Sequence, residues 1–225
     1  MLQKKQIIKN TIYWTIAILC LVLGLSSCDK SSKKAGASTI IQEWTKQNLM
    51  DHVREWPGTS IQAAEAMTEK YGTPEEITNY RLIWYNKSVF KEIIVHREEI
   101  DHNFPMPHKD VLEQTINYEV PVERYSHIAT YNGSISTSKT KGTLTVRGES
   151  EAMNFLSLNL AHEVAMGKRS IKDAREFHTA TVVAFLKGKT PEYTQKLLFT
   201  PAIDAGDPDK ATIDDKILEE IFGQR

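Results

Sequence analysis

Tyr80–Glu119 reads YRLIWYNKSVFKEIIVHREEIDHNFPMPHKDVLEQTINYE, and the assignment of its three parts settles what kind of fold the chain makes. Tyr80 to Asn86 and Val89 to Glu98 are rich in aromatic and β-branched residues, with only Lys87-Ser88 between them, which predicts a β-hairpin. In His102-Asn103-Phe104-Pro105-Met106-Pro107-His108 the two prolines hold the backbone extended and forbid helix or central strand. That run is expected to be a rigid loop crossing the surface, with Phe104 and Met106 packed downward. Asp110 to Glu119 then resumes helical spacing.

Outward from this stretch the helical signals dominate. Thr39 to Trp56 carries Ile40, Ile41, Trp44, Val53 and Trp56 at helical intervals, and Pro57-Gly58 stops it. Ser60 is placed to cap a second helix from Ile61 to Tyr71, which Gly72 ends, and Thr73-Pro74-Glu75-Glu76 repeats helix-start chemistry for one short turn. Beyond Glu119, Pro121 opens a helix through Val122, Tyr125 and Ile128 that Asn132-Gly133 closes. Ser134 to Thr140 and Thr143 to Arg147 alternate as strands about Lys141-Gly142, giving a second hairpin.

A helix after Ser150, with Met153, Leu156, Leu160 and Val164 on one stripe and Phe155 and Leu158 opposite, is apolar nearly all round and therefore central. Ser170 with Asp173 starts the next, from Ile171 to about Lys187. The fold class read from this pattern is α+β, mainly helical, with two small antiparallel β-hairpins, in one domain spanning residues 39–199. Residues 200–225 read as an acidic linker followed by an amphipathic helix with Ile213, Ile217 and Ile221 on one side.

The first 28 residues have the order of a secretory signal: Lys4, Lys5 and Lys9, an apolar run from Ile12 to Leu25, then Leu25-Ser26-Ser27-Cys28. The apolar run falls short of the roughly 20 residues of a membrane span. Those last four residues resemble a bacterial lipobox. The resemblance implies that residues 1–27 are cleaved, that Cys28 becomes the lipidated first residue, and that the acyl chains anchor the protein to a membrane of the cell envelope, inner or outer left open. Asp29 resembles the signal that retains some lipoproteins in the inner membrane. Residues 28–38, small and polar with three lysines, read as a flexible tether. Loss of the three signal lysines takes the formal charge from −1 to −4, so nothing points to nucleic acid. Cys20 leaves with the signal and Cys28 carries lipid, so the domain contains no disulfide, no cysteine-ligated metal and no thiol nucleophile.

Two further resemblances are local. The helix ending in Tyr-Gly-Thr-Pro, followed by a strand containing Trp-Tyr and then an apolar strand, over residues 60–98, looks like the core unit of small lipoproteins that assist outer-membrane barrel assembly. RLIWYN, HNFPMPHKDVLEQ and AMNFLSLNLA look like segments of bacterial proteins to which no activity attaches.

Candidate chemistry is sparse. His96, His102, His108 and Asp110 form the densest set of imidazole and carboxylate groups, of the type that suits zinc or another divalent ion, although their spacing matches no metal motif. His162-Glu163 has Met166 where the helical zinc-protease motif needs its second histidine, which rejects that assignment. His178 falls on the apolar side of its helix and reads as a core histidine, and Trp84-Tyr85-Asn86 reads as core. No serine sits in a nucleophile elbow and no glycine loop cradles phosphate. The sequence thus reads as a membrane-anchored exported lipoprotein, a binding or envelope-structural module with a possible envelope protein partner and no assigned cofactor or metal. The alternative is a metal-dependent or His/carboxylate hydrolase using the His96/His102/His108 region, which requires two of His96, His102, His108 and His178 to meet an acid such as Asp110, Glu98 or Glu163 in one cleft.

Overall fold

A computed structural model describes residues 44–223; the expected signal, lipobox with Cys28 and tether lie outside the described residues. The helices are α1 (Lys46–Val53), α2 (Gly58–Tyr71), α3 (Tyr125–Tyr131), α4 (Glu151–Ala165), α5 (Ile171–Leu186) and α6 (Asp215–Phe222). The strands are β1 (Glu76–Ile77), β2 (Arg81–Lys87), β3 (Phe90–His102), β4 (His108–Asn117), β5 (Ile135–Ser138) and β6 (Thr143–Gly148). They form one antiparallel sheet in the order β1-β2-β3-β4-β6-β5.

This overturns the expectation of a mainly helical protein with two separate hairpins. Asp110–Glu119 does not continue as a helix: residues 108–117 are the strand β4, which pairs β3 on one side and β6 on the other and so fuses the hairpins into six continuous strands. The segment after Gly72 is not a turn of helix either. Glu76 and Ile77 pair with Ile83 and Leu82, and the Glu75 carboxylate accepts from the Tyr85 amide at 3.2 Å.

Leu82, Trp84, Ile93, Val95, Leu112, Ile116, Leu144 and Val146 alternate along β2, β3, β4 and β6 and are almost fully buried on one face of the sheet. That face carries α2 and α4, and each such large side chain contributes about 1.5–3 kcal/mol by leaving water. Trp84 is fully buried and donates Nε1–H to the Gly72 carbonyl at 2.8 Å, which ties the sheet to the end of α2. Gly72 has φ +81°, a conformation that suits a residue without Cβ. The central α4 buries Phe155, Leu156, Leu158, Leu160 and Val164. The opposite face of the sheet shows half-buried Tyr85, Glu92, His96, Glu113 and Arg147.

A buried polar knot joins sheet and helices. Glu151, at the start of α4, accepts from Gln114 Nε2 at 2.9 Å and from the Tyr71 hydroxyl at 2.6 Å, and pairs with Lys70. Asn154 donates to the Leu112 carbonyl and to Gln114 Oε1, both at 3.0 Å. Residues 200–209 run against the sheet, the Ala202 amide donating to the Asn117 carbonyl at 3.1 Å and Asn117 Nδ2 to the Ile203 carbonyl at 3.1 Å. Ala205 lies where a side chain on Gly142 (φ +60°) would stand. In α6, Ile217 and Ile221 are exposed. Among the described residues no helix is long and apolar enough to cross a membrane.

Candidate functional site

The proline-rich run is the loop of the β3–β4 hairpin, and the site is built where that hairpin closes. Cross-strand partners share a face of a sheet, as do residues two apart along a strand. His102 is directly opposite His108, and Ile100 is opposite Asp110, so His102, His108 and Asp110 point to the same face as Leu112 and Ile116.

This depends on an irregularity. Val95 pairs with Leu112 but Ile100 pairs with Asp110, a shift of three residues. In unbroken register Glu99 would face His108; the bulge puts His102 there instead, the re-aiming for which bulges are used beside functional sites. His96 lies before the shift and stays outside the cluster, its Nε2 3.4 Å from Glu113 Oε2. Of the four ligands expected from sequence, three meet and His96 does not.

One nitrogen and one oxygen from each pair of neighbours come together: His102 Nδ1 is 3.3 Å from Asp110 Oδ2, and His108 Nε2 is 3.1 Å from Asp110 Oδ1. The candidate ligand atoms of the three residues lie within 4.8 Å of one another. Asp110 is only 3 % exposed. The Ser134 hydroxyl donates to its Oδ2 and lies 3.0 Å from His102 Nδ1. Ser134 is itself fixed by its amide, which donates to Asn132 Oδ1 at 3.0 Å. The other carboxylate oxygen, Oδ1, is buried without a hydrogen-bond partner.

The hydrogen-bond inventory makes that orphan informative. His108 Nδ1 lies 2.8 Å from the Met106 carbonyl, which can only accept, so Nδ1 carries the hydrogen. In the neutral ring Nε2 is then a lone pair, and it faces the lone pairs of Asp110 Oδ1. Two things resolve this opposition: a proton on His108 or a cation between the atoms. Both are electrostatically prepared. Contact with the Asp110 carboxylate raises the His108 pKa above its ordinary value, while burial, outweighing the same carboxylate, lowers that of His102. A backbone carbonyl on the far nitrogen of a ligating imidazole is also the usual way its orientation is fixed.

Ser134, His102 and Asp110 are not a nucleophilic relay. In such a relay the imidazole uses one nitrogen for the hydroxyl and the other for the acid. Here Nδ1 faces both, and the serine proton goes directly to the carboxylate.

The cluster forms one end of a cleft of about 310 Å³. His178 of α5 lines it while remaining 3 % exposed, its Nδ1 2.8 Å from the Tyr131 hydroxyl. Burial pushes the His178 pKa down to about 4, with His108, His102 and Arg175 acting in the same direction. Phe104 packs between His178 (ring centroids 4.9 Å) and the Arg175 guanidinium, 3.7 Å from its ring centre. As expected it packs inward, whereas Met106 is 47 % exposed at the rim.

His178 thus behaves as a core histidine satisfied by one hydrogen bond and also belongs to the cleft wall, the placement that the hydrolase alternative allowed it. Ser134 was missed; its only signal was its position at a hairpin entrance. The remaining histidine–acid pair is structural: His162 Nδ1 is 2.8 Å from the Tyr118 hydroxyl and its ring stacks on Phe199, while Glu163 holds Arg169 and Tyr193.

Comparison of the chain with protein-family models, with curated proteins and with solved structures finds no match.

Proposed function

We propose that this chain is a lipid-anchored protein of the cell envelope whose cleft holds one divalent transition-metal ion through His102, His108 and Asp110, and that hydrolysis is the chemistry the site performs. The observation that carries the reading is the buried, partnerless Oδ1 of Asp110 facing the lone pair of His108 Nε2. Two imidazoles and one carboxylate suit zinc, and three protein ligands are the complement of a catalytic zinc rather than of a structural one, which takes four. An ion held there supplies Lewis acidity and lowers the pKa of a bound water toward neutrality. The chain's own part is to orient both imidazoles, through Met106 and Ser134, and to keep the acid dry. The lipobox around Cys28 supports the anchor and the envelope location, with the cleft on the tethered domain.

This reading departs from the binding module without catalytic activity that the sequence favoured, because two histidines and an acid meet in one cleft. Isothermal titration with zinc is expected to give one site in the full-length protein. His108→Ala and Asp110→Ala are expected to weaken it at least 100-fold, and His96→Ala to leave it unchanged, since His96 lies outside the cluster. Undiminished binding in His108→Ala, or none in the unaltered protein, overturns the proposal and leaves a protonated His108 as the counter-ion of Asp110.

A further inference from the structure

Beyond the three ligands, the apolar part of the cleft wall is Phe104, Met106, Met153, Val182, Phe185 and Leu186, beside polar groups that include Arg147, Glu149 and Asn154. Two of these are unusually open to solvent for their size, Leu186 at 64 % and Met106 at 47 %. An apolar wall beside a polar end is the arrangement of a small-molecule pocket, in which a few polar groups orient a mostly apolar ligand. The polar end also has a sign. A divalent cation held by two neutral imidazoles and one carboxylate keeps one uncompensated positive charge, so its free position favours an anionic head group.

The size of the cleft matches a short tail. At roughly 30 Å³ per water-sized unit, 310 Å³ corresponds to on the order of ten heavy atoms, the size of a carboxylate with one unbranched chain of moderate length.

We propose that the cleft is an acyl site, in which the metal position takes the carboxyl end of a single medium-length chain and the wall from Met106 to Leu186 takes the methylenes. The inference rests on the metal reading above and specifies its substrate class: acyl esters or amides, whose hydrolysis releases such a carboxylate. Phe185 and Leu186 lie three and four residues after Val182 on α5, so both are its neighbours on the helix surface and a chain laid along that helix end meets successive apolar side chains. Phe104, held between His178 and Arg175, closes the side toward the core.

The test uses the zinc-loaded full-length protein in lipid nanodiscs, with butanoate, hexanoate and octanoate as probes and the His108→Ala protein in the same discs as the blank. Each methylene that enters the wall is expected to tighten binding about fourfold, so octanoate binds on the order of 200-fold more tightly than butanoate. Leu186→Glu, at an exposed position that leaves the core intact, is expected to flatten that series without altering zinc affinity. Absence of zinc binding refutes the metal reading itself. Zinc binding with carboxylate affinities independent of chain length overturns the acyl site alone. An unchanged chain-length dependence in Leu186→Glu, or equal binding to the His108→Ala blank, overturns it too, because the tail then lies elsewhere or in the bilayer.

Discussion

Acidifying the protein is expected to destabilise it through one buried ring. His178 titrates near 6.5 in an unfolded chain, but folding removes it from water and places positive neighbours around it, so the folded protein resists protonating it until about pH 4. Because the folded value is the lower one, the unfolded chain takes up the proton first as pH falls. The stability is therefore complete above about pH 6.5 and drains away between there and pH 4. The gap of about 2.5 pH units corresponds to about 3 kcal/mol. The carboxylates of Glu75, Glu113 and Glu163, whose pKa values lie below their ordinary range, add losses at still lower pH and must be separated. Urea unfolding of the metal-free protein at half-unit intervals from pH 7.5 to 4, compared with His178→Asn, does so: the carboxylates are common to both proteins and cancel in the difference. The advantage of the unaltered protein over the variant should shrink by about 3 kcal/mol across the window. A difference that stays level within about 1 kcal/mol would refute the reasoning, and would mean that water or the Tyr131 hydroxyl already solvates the imidazolium.

Three further outcomes are expected. Glu151→Ala leaves the fully buried Gln114 amide and the Tyr71 hydroxyl without their acceptor and should cost about 3–5 kcal/mol in urea unfolding, with Glu151→Gln costing less. Gly142→Ala forces a side chain into the space of Ala205 at a positive φ, so limited proteolysis should cut within residues 200–209 several times faster while cleavage elsewhere is unchanged. Cys28→Ser should abolish labelling by a fatty-acid probe and release or misprocess the protein; unchanged labelling removes the anchor from the proposal.

The local chemistry of the chain was largely readable, and its long-range pairing was not. Ser170 accepts from the Asp173 amide, Gly72 and Gly167 adopt positive φ at helix ends, and the hairpins about residues 87–90 and 138–143 form where turn and strand residues alternate. β4 escaped because, as a central strand flanked by β3 and β6, it buries residues of both orientations and so loses its alternation: Asp110, Val111, Leu112, Gln114, Thr115 and Ile116 are all buried. Its buried polar residues are tolerable only through partners far along the chain, Glu151 and Asn154 for Gln114 and Ser134 for Asp110. Thr73-Pro74-Glu75-Glu76 carries genuine helix-start residues, yet the backbone pairing offered by Leu82 and Ile83 wins. The candidate site was visible as composition, a concentration of histidine and aspartate. Which three of the four converge was decided by the three-residue register shift in β3, for which no residue type in 95–100 is a signal.

That register shift has a consequence for how the site comes into being. His102, His108 and Asp110 all fall within residues 102–110, so the closing of a single hairpin is enough to bring them together, whereas Ser134 and His178 come from distant parts of the chain. The donor set is in effect a cassette, self-contained in one loop and its two flanking strands, and could be transplanted onto the end of another antiparallel ribbon. What the rest of the molecule adds is the dryness, the hydrogen bonds and the greasy wall around those three side chains.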